Sequence, residues 1–226
     1  MANGIYIGMS GAMAAQQRLD MVANNVANAN TVGFKQQRAQ FESYMVKTGD
    51  SRPVEKGFTQ LSNVYTDTQA GAIHSTGNPL DLAIDGSGYF TVRGTDGNQL
   101  MTRAGNFRMD AEGTLVDATG KAVLSSNGTV SLRPDGGQPS VGSDGTVSQD
   151  GTVVASLSLV DVDPNKLTRI GDTHFSAAPA DIRPASSSTV HAGVLETSNV
   201  NPVRGLVELV QLTQDFQSGH KVMAEY

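Results

Sequence analysis

The chain has 226 residues, a net charge of −6, no cysteine and no tryptophan. The lack of cysteine excludes disulfides, thiolate metal sites and cysteine nucleophiles. The acidic balance argues against a nucleic-acid partner held through its phosphates, and because no apolar run approaches the ~20 residues of a membrane-spanning helix, we expect no direct membrane insertion.

The first segment, residues 1–45, predicts a helix and a following loop. Apolar or small residues recur every seven positions, with a second set three positions after each: Ile5, Ala12, Leu19 and Val26, then Gly8, Ala15, Val22 and Ala29. This is the a/d spacing of a helix that packs along a partner helix. Asn28, Asn30, Thr31 and then Gly33 predict the end of the helix.

The middle of the chain predicts strands. We expect an extended linker over 46–75 and a β domain over 76–185, with strand-like runs at 80–84, 89–93, 122–125 and 153–160. A turn phrase recurs as Glu112-Gly-Thr-Leu, Asn127-Gly-Thr-Val, Asp144-Gly-Thr-Val and Asp150-Gly-Thr-Val. Because an Asp-Gly or Asn-Gly pair tolerates positive φ and a Thr-Val strand start follows, each phrase predicts a hairpin.

The last segment, residues 186–226, predicts a linker and a second amphipathic helix. Asn201 is the predicted N-cap and Pro202 the first helical residue. One side of this helix is expected to collect the apolar residues Leu206, Leu209, Val210, Phe216 and Met223, with Val203 and Val207 adjoining them. The fold class is therefore α+β. The N- and C-terminal amphipathic helices are expected to pair as a coiled coil, with an antiparallel all-β domain of short strands and hairpins inserted between them.

Catalytic constellations are scarce. The four histidines, His74, His174, His191 and His220, have no metal-binding spacing. Gly86-Ser-Gly88 lacks the spacing of a nucleophile elbow, and Asp81 and Asp85 are interpreted as turn or strand-end carboxylates. We therefore expect no catalytic, metal or cofactor site and no small-molecule substrate.

Asparagines are concentrated at the end of the first predicted helix, at Asn24, Asn25, Asn28 and Asn30. Asparagine is a poor helix former, so this concentration needs a reason. One interpretation is that Asn28 and Asn30 only terminate the helix. The other is that the amides of Asn24, Asn25 and Asn28 fix the register against neighbouring helices through hydrogen bonds.

Three phrases of the chain carry a family resemblance. ANNVANANTVGFK, which follows GIYIGMSGAMAAQQ, resembles the N-terminal signature of the bacterial flagellar rod and hook proteins. LETSNVNPVRGLVELVQLTQDFQSGHKVM resembles their C-terminal signature, and NPLDLAIDGSGYFTVR with LMTRAGNFRMDAEGTLVDATG is similar to their β domain. The resemblance covers about two thirds of the chain in the family's order. Within the family, Asn-Val-Asn-Pro-Val at 199–203 and the modest length favour the proximal-rod members.

The resemblance implies a non-enzymatic structural subunit of the proximal flagellar rod, which polymerises through its terminal helices into the helical drive shaft for motility. Its implied partners are copies of itself, other proximal and distal rod subunits, and the flagellar type III export apparatus. The implied location is the periplasmic rod of the basal body, reached without a cleaved signal peptide. Phe41-x-x-x-Met45 resembles the export motif of such substrates.

The expected subunit interface lies on the two terminal helices and the asparagine-rich segment. Its residues are Ile5, Ala12, Leu19, Val22, Asn24, Asn25, Val26, Asn28, Asn30, Thr31, Gly33, Phe34, Asn199, Asn201, Pro202, Val203, Leu206, Val207, Val210 and Phe216. The alternatives are a distal-rod or hook subunit of the same family and a β-rich adhesin or carbohydrate-binding protein.

Overall fold

A computed structural model describes the backbone of residues 2–47, 55–185 and 187–224, and the side chains of residues 9–42, 62–185 and 187–218. The chain forms two compact units. Unit 1 contains residues 1–29, 36–67 and 200–226, and unit 2 contains residues 30–35 and 68–199. The architecture is α+β, as the sequence predicts, with helices near both ends of the chain and antiparallel strands between them.

Unit 1 consists of two helices and a long hairpin. The helices are α1 (Ala2–Ala27) and α2 (Pro202–Ala224), and the hairpin strands are β1 (Gln37–Lys47) and β2 (Glu55–Thr66). The sequence patterns do not predict this hairpin. Part of the segment 46–75, expected as an extended linker, pairs in antiparallel register with residues that follow the first helix. The pairing shifts by one residue between Gln40 and Phe41, which marks a β-bulge.

The two helices of unit 1 contact each other in antiparallel directions. A Cβ placed on Gly205 of α2 would lie 2.5 Å from Cγ2 of Val26 in α1. Earlier in α1 and later in α2, the Arg18 guanidinium lies 2.7 Å from the Glu208 carboxylate. Glycine at position 205 therefore allows the two helix backbones to approach closely, while the ion pair is exposed and contributes little.

The N-cap of α2 is the one that the sequence predicts. The Asn201 side chain accepts a 3.0 Å hydrogen bond from the backbone N–H of Arg204. Pro202 is the first helical residue, where its missing N–H leaves no partner unsatisfied. α1 ends at Ala27, and the Asn28 side chain donates a 3.1 Å hydrogen bond back to the carbonyl of Asn24.

Unit 2 is built from short antiparallel strands. In chain order they are β3 (Ile73–Ser75), β4 (Leu82–Asp85), β5 (Tyr89–Arg93), β6 (Gln99–Thr102), β7 (Arg108–Met109), β8 (Leu115–Val116), β9 (Leu124–Ser125), β10 (Gly128–Thr129), β11 (Ser140–Val141), β12 (Thr146–Gln149), β13 (Thr152–Ser156), β14 (Leu159–Asp161), β15 (Thr168–Ile170), β16 (His174–Ser176), β17 (Arg183–Pro184), β18 (Thr189–Ala192) and β19 (Val194–Glu196). Single 3-10 turns span Pro164–Lys166 and Pro179–Asp181.

The central sheet of unit 2 has the strand order β15-β16-β6-β5-β14-β17 and a core on each face. On β5, Phe90 and Val92 enter the larger core, while Tyr89 enters the smaller one with Phe175. This alternation follows from the two-residue period of a strand. The larger core is aliphatic apart from Phe90 and Phe107, which pack edge to face at 5.1 Å.

The four recurring turn phrases all lie at hairpin turns, so this prediction is confirmed. They connect β7 to β8, β9 to β10, β11 to β12 and β12 to β13. In the tightest hairpin, Gln149 pairs with Thr152, and both loop residues have positive φ, 53° at Asp150 and 75° at Gly151. This is the Asp-Gly geometry expected for a two-residue loop.

Candidate assembly surface

The second helix has one inward and one outward apolar face. The inward face contains Gly205, half-buried Leu209 and Phe216, and buried Leu212. With 3.6 residues per turn, these positions lie on one side of the helix. The sequence prediction placed Leu206 and Val210 on the same side as Leu209 and Phe216. The structure corrects this, because Leu206 and Val210 are more than half exposed.

The outward face of α2 is an uncovered apolar stripe. It consists of Val203 (70% exposed), Leu206 (53%), Val207 (53%) and Val210 (54%). The spacing i, i+3, i+4 and i+7 makes them neighbours on one helix face, here called the α2 stripe. Burial of apolar surface contributes roughly 25 cal/mol per Å², so covering the α2 stripe with another helix would release free energy that the single chain does not recover.

The first helix also leaves apolar side chains uncovered. Met9 and Met13 are 52% and 59% exposed, one turn apart on α1. Of the predicted heptad positions with described side chains, Val22 is buried, whereas Ala12, Leu19 and Val26 are partly buried within the chain. Ile5 lies in α1, but its side chain is outside the described residues.

Asn25 connects α1 to the strand that follows it. The interpretation that asparagine amides of this segment form hydrogen bonds that fix a register partly anticipates this role. Its side chain is buried, and its amide makes two 2.9 Å hydrogen bonds with the backbone of Gln37, donating to the carbonyl and accepting from the N–H. The bonded partner is the first residue of β1 in the same chain. Asn24 is exposed on the helix surface, and Asn28 lies in the turn after α1.

The predicted interface residues after α1 divide between the surface and the interior of unit 2. Asn30 is exposed and Thr31 is half-buried, whereas Gly33 and Phe34 are buried. Gly33 has φ +66°, and a Cβ there would lie 2.3 Å from the backbone nitrogen of Ala104. The Phe34 ring has no solvent exposure and lies 4.8 Å below the guanidinium of Arg169. Contacts within the chain therefore explain the glycine and the aromatic ring.

The remaining predicted positions lie near α2 and in the hairpin. Asn201 and Pro202 are exposed at the start of the helix, and Asn199 is half-buried in unit 2. Phe41 is half-buried in β1. Met45 lies in the same strand, with its side chain outside the described residues.

Unit 2 contains a buried ion pair that no sequence pattern predicts. Lys35 and Glu196 are almost completely buried, and their charged atoms are 2.5 Å apart. Both residues lie inside the quoted signature phrases, one in VGFK and the other in LETSN. The signal available in the sequence was a lone lysine at the end of the N-terminal phrase and a lone glutamate at the start of the C-terminal phrase, before its helix begins.

The described residues contain no group of three or more potential metal ligands. Over the same residues, neither helix is long and apolar enough to cross a membrane. Among the described surface features, the α2 stripe is the one whose chemistry indicates a partner, because exposed aliphatic side chains on one helix face suit packing against another apolar helix.

Three family models match successive parts of the chain. One described as flagella basal body rod protein matches residues 5–35. One described as flagellar hook protein FlgE/F/G D1 domain matches residues 83–155, and one described as flagellar basal body rod FlgEFG protein C-terminal matches residues 191–226. The first and third matches contain most of α1 and all of α2.

Curated relatives are similar along the full length. The flagellar basal-body rod protein FlgF of Mesorhizobium japonicum is 34% identical over 100% of this chain and 93% of that protein. FlgF of Caulobacter vibrioides is 35% identical over 99% of this chain and 93% of its own length. The basal-body rod protein FlgG of Bacillus subtilis is 35% identical over 99% of this chain and 94% of its own length.

Proposed function

The chain belongs to the flagellar rod and hook protein family as a structural subunit of the basal-body rod, and we propose that its place is the proximal rod. The support for the proximal position is the full-length similarity to proteins named FlgF together with the Asn-Val-Asn-Pro-Val segment at 199–203. In this proposal the protein transmits torque and catalyses no reaction.

The α2 stripe is the observation that carries the proposed mode of assembly. Four aliphatic side chains exposed on one helix face form a surface that a second apolar helix would cover. The proposed partners are copies of this chain and other rod subunits, whose terminal helices would pack against the stripe. In the assembled rod, α1 and α2 would pair as a coiled coil, and contacts repeated head to tail without closing would build a tube.

Export forms a second part of the proposal. The chain would pass unfolded through the flagellar type III apparatus, without a cleaved signal peptide, and fold at the growing rod in the periplasm. A chain with no cysteine cannot form premature disulfides on that route. Phe41 and Met45, both in β1, are the proposed export motif.

A pair of matched variants tests the assembly surface. Leu206→Asp with Val210→Asp places two charges in the α2 stripe, while Arg204→Asp with Asp215→Lys changes the charge at two exposed positions on a different side of the same helix. In cells that lack this protein, the stripe variant should be exported but absent from purified basal bodies, and swimming should be lost. The control should restore both. Normal incorporation of the stripe variant would refute this mode of assembly.

A distal-rod position is the second candidate, because FlgG of Bacillus subtilis is as similar in identity and coverage as the FlgF relatives. Complementation separates the two positions. Expression of this chain should restore motility to a strain that lacks its proximal-rod subunit and not to one that lacks its distal-rod subunit. The opposite result would assign the chain to the distal rod.

A further inference from the structure

The chain passes between its two units four times, after residues 29, 35, 67 and 199. Within unit 2, these passages are flanked by three segments, 30–35, 68–72 and 194–199, here called the crossing segments. They are far apart in sequence. Residues of all three meet at one buried carboxylate, that of Glu196.

Both oxygens of this carboxylate have partners in unit 2. Oε1 accepts hydrogen bonds from Nζ of Lys35 at 2.5 Å and from the backbone N–H of Gly71 at 2.9 Å. Oε2 lies 3.5 Å from a guanidinium nitrogen of Arg103. Lys35 and Glu196 are 1% and 2% exposed, so water does not compete for these bonds.

Further hydrogen bonds connect the same three segments. The N–H of Gly33 donates to the backbone carbonyl of Glu196 at 2.8 Å. Lys35 Nζ also donates to the Gln69 carbonyl at 2.7 Å, and the Asn199 side chain donates to the same carbonyl at 3.1 Å. Each crossing segment is therefore bonded to the other two.

Arg103 attaches this cluster to the core of unit 2. Its guanidinium donates to the carbonyls of Ile84 at 3.0 Å and Gly86 at 2.5 Å. It also lies 5.2 Å from the centre of the Tyr89 ring. Because Ile84 belongs to the larger core and Tyr89 to the smaller one, Arg103 connects the crossing segments to both cores of unit 2.

We propose that Glu196 and Lys35 are positioning residues for rod assembly, an inference that rests on the proposed function. A buried ion pair is weak evidence for stability, since apolar residues of similar volume often serve as well. Its hydrogen bonds are directional, however, and they specify one arrangement of the three segments. The pair thereby fixes the three crossing segments within unit 2. These are the segments through which the chain continues to α1, to the hairpin and to α2.

Fixed attachment points lower the cost of assembly. A subunit whose crossing segments move freely must lose that conformational freedom when it joins the rod, and this loss subtracts from the binding free energy. A subunit that holds them in place before assembly avoids the loss. Opening the cluster should therefore weaken incorporation into the rod even when unit 2 remains folded.

Two variants of the full chain test this inference. Glu196→Gln keeps the side-chain shape and an acceptor for the Gly71 N–H but removes the charge that Lys35 pairs with. Lys35→Met combined with Glu196→Gln removes both charges of the pair, so that Lys35 is not left as a buried charge without its partner, while Arg103 keeps its hydrogen bonds to the carbonyls of Ile84 and Gly86. In each variant, amide exchange at Gly33 and Gly71 should accelerate at least about tenfold, with core amides such as Leu115 unchanged. Incorporation into basal bodies should fall by a similar factor.

Leu132→Ala is the matched control, because Leu132 is a buried core residue of unit 2 outside the crossing segments. Leu132→Ala should lower global stability without opening the cluster. Even if its melting temperature is as low as that of the Glu196 variants, it should incorporate into basal bodies normally. The inference is overturned if Gly33 and Gly71 stay protected, or if incorporation follows melting temperature alone across the three variants. The α2 stripe variant separates the two proposals. If it fails to assemble while the Glu196 variants assemble normally, only the positioning role is lost.

Discussion

The side-chain amide of Asn25 in α1 pairs with the backbone of Gln37 in β1 through two 2.9 Å hydrogen bonds. The amide thus acts as a strand residue would, satisfying both backbone groups at the point where the hairpin begins. Asparagine can do this because its side chain carries one acceptor and one donor in the geometry of a peptide group. α1 and the hairpin are joined by polar contacts as well as by packing.

Replacing Asn25 should loosen this junction. Asn25→Ala leaves the N–H and carbonyl of Gln37 without these partners, at a cost of about 1–3 kcal/mol. Amide exchange at Gln37, followed by NMR or mass spectrometry, should be at least about tenfold faster than in the unchanged protein.

Asn24→Ala is the control for that substitution, since Asn24 is the preceding residue of α1 and its side chain is exposed. Alanine is the better helix former, so the control should leave Gln37 protected and slightly strengthen the helix. Equal exchange rates at Gln37 in the two variants would contradict the role assigned to Asn25.

Gly205 should resist substitution where another helical glycine does not. A Cβ at Gly205 would lie 2.5 Å from Val26 Cγ2, whereas a Cβ at Gly11 of α1 would have no neighbour within 4 Å. Gly11→Ala should stabilise its helix by up to about 1 kcal/mol. Gly205→Ala should gain the same helix propensity, but crowding against Val26 should cost about 1–3 kcal/mol of stability and offset that gain.

A double-mutant cycle identifies the source of the crowding at Gly205. Val26→Ala removes the methyl group that the new Cβ would meet, so adding it to Gly205→Ala should recover part of the loss. Thermal or denaturant unfolding measures the four variants. Strict additivity would show that the two residues do not interact, contrary to the contact between α1 and α2.

Unit 2 should lose stability in acid, because the stabilising contribution of ionised Asp117 is lost when this residue is protonated. Burial raises the pKa of its carboxyl, but hydrogen bonds from His174, the backbone of Lys121 and the Thr119 hydroxyl outweigh burial and lower the pKa to about 2 from 3.8. A lowered pKa in the folded state stabilises the fold above pH 3.8, and this contribution is lost as the pH falls towards 2. Its size is about 2 kcal/mol.

Asp117→Asn tests this dependence. The free energy of unfolding at pH 7 should fall by about 2 kcal/mol, because the ionised acceptor is lost. Between pH 4 and pH 2 the variant should then lose less stability than the unchanged protein, whose Asp117 becomes protonated there. Denaturant titrations at several pH values measure both effects. Parallel stability profiles for the two proteins would contradict the low pKa.

Local signals carried most of the correct sequence predictions. The Asn201-Pro202 helix start and the Asp150-Gly151 hairpin depend on backbone preferences of adjacent residues, so a short window of sequence is sufficient to recognise them. The run at 89–93 likewise matches β5, because its alternating residues supply two cores. The α+β class follows from these elements.

Long-range relationships were not predictable from the same signals. The Lys35–Glu196 pair joins residues 161 positions apart, and neither residue has a local pattern that indicates burial. The hairpin of β1 and β2 was missed because its strands lack a predicted tight turn between them. The division of α2 into inward and outward faces depends on where Val26 meets Gly205, which only the packed structure specifies.

Site-specific photo-crosslinking in assembled basal bodies tests the central claim, that the α2 stripe is a contact between rod subunits. A photoreactive amino acid replaces Leu206 in the stripe or, as control, exposed Asp215 on a different side of the same helix. If the stripe is a subunit contact, the probe at 206 should crosslink to a neighbouring rod subunit and the probe at 215 should do so far less. Crosslinks of equal yield from both positions, or none from 206 in an intact rod, would contradict this claim.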